Sequence, residues 1–102
     1  MLTLLHGKSL SEYRRMCQEA GLPPYMAHGV YGYVELRIAP GGFLGAVLSN
    51  DFAGAVGYAD HDNGKALKEW SIFLEWCLPA ICHGSKERVS AWLAAEAKEV
   101  VG

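Results

Sequence analysis

Val30-Tyr31-Gly32-Tyr33-Val34-Glu35-Leu36-Arg37-Ile38 decides the fold class, because this stretch reads equally as a strand or as a helix. Val34, Leu36 and Ile38 alternate with Glu35 and Arg37, the period of a half-buried strand. A helix instead needs Met26, Val30, Tyr33 and Ile38, the neighbour of Arg37, on one side. The helical reading is favoured: a lone strand leaves its backbone N–H and C=O groups without partners, and no other stretch alternates convincingly. Pro23-Pro24 then marks the start and Ala39-Pro40-Gly41-Gly42 the stop. Gly29 and Gly32 each cost a helix about 1 kcal/mol relative to Ala, so they are expected where another helix packs closely.

Outward from this segment every signal is helical. Ser9 with Glu12 makes a capping box, and Leu10, Tyr13, Met16, Cys17 and Ala20 form a stripe that Gly21 ends, which predicts a helix over 10–20. Phe43, Leu44, Val47, Leu48, Phe52, Ala55, Val56 and Ala59 continue in helical spacing. Ser49-Asn50-Asp51 interrupts them as a break and new N-cap, giving two short helices or one kinked one. Asp60-His61-Asp62-Asn63-Gly64 reads as a loop and cap cluster. Leu67, Trp70, Phe73, Leu74 and Cys77 form the strongest stripe, ending at Leu78-Pro79 and expected at the centre of the core. Ser85 caps the last helix, Glu87 sits in its first turn, and Val89, Trp92, Leu93, Ala97 and Val100 line its inner side. The expectation is a compact all-α single domain of five or six short helices over residues 1–102, with 1–8 a loosely structured lead-in.

Composition agrees. At 102 residues and 11.1 kDa there is room for one core. A 51% hydrophobic content with 20% charged residues excludes intrinsic disorder. Thirteen Ala and twelve Leu stand against ten Val plus Ile and a single Thr, Thr3, which is helix chemistry. No apolar run approaches the ~20 residues of a membrane span, and Met1-Leu-Thr-Leu-Leu5 lacks a basic leader region, so a soluble, unexported cytoplasmic protein is expected. A net charge of −2 fits neither a nucleic-acid binder with a basic face nor a DNA mimic. Cys17, Cys77 and Cys82 are odd in number and are expected as free thiols.

Catalytic and ligand motifs fail on specific positions. Gly7-Lys8-Ser9 resembles the end of a phosphate-binding loop, but the Gly required five residues before Gly7 is Leu2. Asp60-His61-Asp62-Asn63-Gly64 would need Gly and Glu where Lys65 and Ser71 stand to be an EF-hand loop. Cys77 with Cys82-His83 lacks a second close pair and a fourth zinc ligand. There is no G-x-S-x-G, and Ser49 and Ser85 read as caps. His28 and His61 could act as general bases only if folding brought Asp51 or Asp60 alongside. No catalytic residue, metal ligand or cofactor is therefore assigned.

Two surface features remain. Trp70 and Trp92 lie on apolar stripes and belong in the core, whereas Trp76 lies off its stripe; Tyr25, Tyr31 and Tyr58 are further candidate surface aromatics. Between Arg37 and Lys65 there is no Lys or Arg, while all three aspartates, Asp51, Asp60 and Asp62, fall inside that window. Helix capping explains this plainly. An acidic rim around an apolar patch would also guide a basic partner. Asn50, Asp51, Tyr58, Asp60, Asp62 and Trp76 are the candidate partner-binding residues.

Pro40-Gly41-Gly42-Phe43-Leu44, Ala46-Val47-Leu48-Ser49-Asn50-Asp51-Phe52, Ala59-Asp60, Asn63, and Gly84-Ser85 with Trp92 resemble the pattern of a group of small phage and prophage proteins, over about residues 23–93. That group has no established activity, so the resemblance implies no catalytic role. It implies a phage or mobile-element origin, and with it an accessory or counter-defence protein of the anti-CRISPR kind. The chain departs from the pattern at Gly54 and Gly57, where larger polar residues are expected, and at Cys82-His83, where an aromatic is expected. The leading expectation is a non-enzymatic interaction protein that occupies a surface of a bacterial complex or self-associates, with no direct nucleic-acid or membrane partner. The alternatives are a small-molecule or nucleotide binder using helix N-termini near Gly41-Gly42 and Ser85, and a small hydrolase with His28 or His61 in a pocket beside a carboxylate.

Overall fold

The computed structural model describes the backbone of residues 3–101 and the side chains of residues 3–95. Among the described residues the chain is all-α: seven α-helices, rather than five or six, and two 3-10 turns, with no strand. They are α1 (Leu10–Ala20), a 3-10 turn (Pro24–Met26), α2 (Ala27–Leu36), α3 (Gly42–Leu48), α4 (Phe52–Tyr58), α5 (His61–Lys65), α6 (Leu67–Cys77), a second 3-10 turn (Ala80–Cys82) and α7 (Lys86–Val101). None is long and apolar enough to cross a membrane. The extra element is α5, one turn drawn from the cluster expected to be a loop.

Local chemistry sets most of the boundaries. The Ser9 hydroxyl accepts the Glu12 N–H at 3.3 Å, and the Glu12 carboxylate turns to Arg15 at 2.8 Å. Gly21, at φ 84°, closes α1: its N–H donates to Gln18 O and that of Leu22 to Cys17 O, the paired bonds of a Schellman end. Asp51 caps α4 through the Gly54 N–H, Asp60 caps α5 through the Asn63 N–H, and Ser85 caps α7 through the Arg88 N–H.

The ambiguous segment is a helix, but it stops at Leu36 rather than running to Ala39. Arg37 adopts the left-handed conformation (φ 57°, ψ 38°), and the Ile38 N–H folds back to Gly32 O at 3.0 Å. Of the three alternating apolar residues only Val34 is buried; Leu36 and Ile38 are exposed, while Arg37 is inside. Gly29 meets Leu44 of α3, as a close helix contact requires. Gly32 instead meets Ile38 of its own chain.

Trp70, Tyr13, Tyr33 and Phe73 are the largest fully buried side chains. α6 packs against α1, α3 and α5 and buries Trp70, Phe73, Leu74 and Cys77, so the 67–77 stripe faces the core. Trp70 lies edge-on to Phe43 (5.7 Å) and Phe73 (5.8 Å), and its indole N–H reaches Asn63 Oδ1 at 2.9 Å. Trp92 is buried as well: it donates to Tyr33 O at 3.2 Å, and the Arg37 guanidinium lies 3.7 Å from its ring centre. Ala97 and Val100 lie outside the described side chains.

Residues 3–8 form no helix, yet they are pinned. Leu5 is buried and its N–H donates to Cys77 O at 2.8 Å; the Gly7 N–H and the Tyr13 hydroxyl both donate to Glu35 at 2.6 Å. Total accessible surface is 5902 Å². A monomer of this mass has roughly 5,700 Å², so the apolar side chains found outside are not the product of loose packing.

Candidate functional site

α4 reads Phe-Ala-Gly-Ala-Val-Gly-Tyr, without a charged side chain, and only Ala55 is buried. Phe52 is 74% exposed, Val56 50% and Tyr58 69%. An unbroken helical stripe from Phe43 to Ala59 would make Phe52 and Val56 share a face with Leu44 and Leu48. They do not. Asn50 sits at φ 62°, which breaks the path and starts α4 in a new phase. An apolar ridge of Phe52 and Val56 flanked by Ala53 and Gly57 therefore faces outward, and nothing lies within 4 Å of where a side chain on Gly57 would begin.

Beside α4 an open groove of about 710 Å³ runs between α3–α4 and α6 to the start of α7. Val47, Phe52, Leu67 and Leu74 supply its apolar wall; Asp51, Lys68, Glu75 and Arg88 supply its charge, and His83 lines it as well. Arg88 is committed to the carbonyls of Ala80 (3.1 Å) and His83 (3.2 Å), bracing the second 3-10 turn. Burial lowers the pKa of His83, against the opposite pull of Glu75.

The six candidate residues do not converge. Asn50 and Asp51 line the main groove. Tyr58 packs its ring over Gly42, where an added Cβ would come within 2.9 Å. Asp60 caps α5 and accepts the Tyr25 hydroxyl at 2.6 Å. Asp62 lies in a shallower groove of about 540 Å³ with Tyr25, Lys65 and Glu69. Trp76, 64% exposed, projects from α6 outside both grooves. Asp51 and Asp60 thus have capping roles, and Asn50 a turn role. Phe52 and Val56, absent from the set, form the most exposed apolar ridge of α4. The break at Ser49-Asn50-Asp51 signals a change of phase but not which face of α4 turns outward, so no signal in the sequence finds them.

The Tyr25 hydroxyl, then the Asn63 N–H, hold the Asp60 carboxyl below its ordinary value of 3.8. A depressed native pKa adds stability that is complete above the unfolded value and lost as pH falls through the folded one. Tyr25→Phe is expected to raise the Asp60 titration midpoint toward 3.8, read from its carboxyl carbon by NMR. An unmoved midpoint would show that the hydroxyl does not hold it.

Sites required by the other readings are occupied or dispersed. The Ser85 hydroxyl fills the α7 cap, and Tyr58 covers Gly42. His28 and His61 are exposed and line neither groove. The three thiols are free and buried; burial pushes Cys17 and Cys82 up to about 12 and Cys77 to about 11, which makes them poor nucleophiles at neutral pH. Among the described residues no group of three or more His, Cys, Asp or Glu side chains is placed to hold a metal ion. The fold and its surface define a small all-α domain with an uncovered apolar helix. No family model, no curated protein and no solved structure matches the chain.

Proposed function

We propose that this chain is a non-enzymatic protein-interaction module that works through the outward face of α4, and that it serves a phage or mobile element as a counter-defence inhibitor of a bacterial protein complex. One observation carries the interaction reading: a helix with no charged side chain buries a single residue, in a molecule of ordinary compactness. Apolar side chains left in water gain roughly 25 cal/mol per Å² on being covered, which a partner surface supplies. The resemblance to phage and prophage proteins supports placing that partner in the bacterial cytoplasm.

Affinity capture from bacterial lysate tests this. Phe52→Glu and Val56→Glu alter exposed positions and are expected to change stability by no more than about 0.5 kcal/mol. A protein retained by the wild type and lost with both variants supports the reading; equal retention overturns it. Asp51→Lys and Asp60→Lys are poor controls, because each removes a helix cap. Asp62→Lys reverses charge without removing a cap.

A further inference from the structure

We infer that the occupant of the α4 face is a cationic amphipathic helix of a partner protein, and not a second copy of this chain. The inference rests on the interaction reading above and adds the partner's chemistry. Asp51 is the N-cap of α4, and Asp60 follows Tyr58 by two residues. Seven helical residues rise about 10 Å, so carboxylates bracket the Phe52–Val56 ridge at both ends. No Lys or Arg occurs along the chain between Arg37 and Lys65, and Lys65 lies in the shallower groove with Asp62. The nearest groove cations, Lys68 and Arg88, belong to α6 and α7, and Arg88 is held by two carbonyls.

Charge disfavours a second copy packed α4 on α4 in either geometry. Antiparallel twofold packing of α4 on α4 would set Asp51 of one molecule beside Asp60 of the other, and parallel packing would set Asp51 on Asp51. Both oppose like charges as the apolar faces close. A helix with apolar residues at its centre and Lys or Arg one to two turns to either side complements the ridge and both ends. Ala53 and Gly57, beside the ridge, leave room for its backbone to approach. Among the described residues no strand offers an edge for an extended peptide.

The test uses the full chain and three synthetic helical peptides of roughly 18 residues with one Leu-Ala core: lysines in both end turns, glutamates there, or the lysines scattered. Binding is read by fluorescence anisotropy, and the oligomeric state by sedimentation. The end-lysine peptide is expected to bind about tenfold tighter than either other, to weaken as salt rises, and to be lost with Val56→Glu. Equal binding of lysine and glutamate peptides overturns the charge argument but leaves α4 an interaction face. Binding of none of the three overturns the cationic helix as occupant, with lysate capture still deciding the interaction reading. A dimer that Val56→Glu makes monomeric overturns it in favour of the second copy.

Discussion

Trp70→Ala is expected to lower the free energy of unfolding by about 4 kcal/mol, a large share of the 5–15 kcal/mol typical of a domain. Trp70 is fully buried on the central helix, and its ring meets Phe43 and Phe73 edge-on. Truncation removes the largest side chain of the core and leaves a cavity between three helices. The indole adds a directional element: its N–H donates to Asn63 Oδ1, itself buried, and so fixes α5 against α6. Trp70→Phe keeps most of the volume but orphans that oxygen, which costs about 1–3 kcal/mol. Asn63→Ala orphans the indole N–H instead, with a similar loss. Urea denaturation followed by circular dichroism measures all three, and the Trp70→Phe/Asn63→Ala double variant closes the cycle. The double loss should fall well short of the two single losses added together, because both delete one bond. Losses that simply add would mean that the bond contributes nothing, and a Trp70→Ala loss under about 1 kcal/mol would refute Trp70 as the core's centre.

What the sequence showed of this fold divides along the range of the interactions involved. Ser9, the 10–20 stripe and Gly21 lie within one another's reach, so α1 is legible to the residue. The 67–77 stripe is equally local in its period. α2 is different: its end depends on a left-handed Arg37, a conformation disfavoured for a residue with a Cβ and held here by Trp92, 55 positions away. The same limit governs the candidate site. Asp51 and Asp60 are visible as acidic residues, and their caps are local, so the plain reading of the acidic window holds for both. Trp76 was legible as exposed because it falls off its own helical stripe. Phe52 and Val56 were not, because helical phase carries no information across the turn at Asn50. Their exposure follows from how α4 lies on α3, which no spacing rule reaches.

Arg37→Ala is expected to cost about 3 kcal/mol, and comparison with other substitutions at the same position separates the side chain's share from the backbone's. Arg37 is buried; its guanidinium covers the face of Trp92 and donates to the Trp92 carbonyl at 2.8 Å. A desolvated cation–π contact is worth about 2 kcal/mol or more, and a charge-assisted hydrogen bond about 1.5–3, the two overlapping because one group makes both. The backbone strain is the same in Arg37→Ala, which keeps a Cβ, and is relieved only in Arg37→Gly. At φ 57° a Cβ is strained by about 1 kcal/mol, so Arg37→Gly should be about 1 kcal/mol more stable than Arg37→Ala although both lose the same guanidinium. Arg37→Lys keeps the charge but not the planar fork, and is expected to recover little. The same cluster holds the start of the chain: His6 packs edge-on against Trp92 at 5.3 Å, and Leu5 is bonded to Cys77. Hydrogen exchange at the Leu5 N–H should therefore speed up in Arg37→Ala by more than the global loss of stability requires. If Ala and Gly at position 37 prove equally stable, the left-handed turn is not what sets the end of α2, and the guanidinium stack alone must account for it.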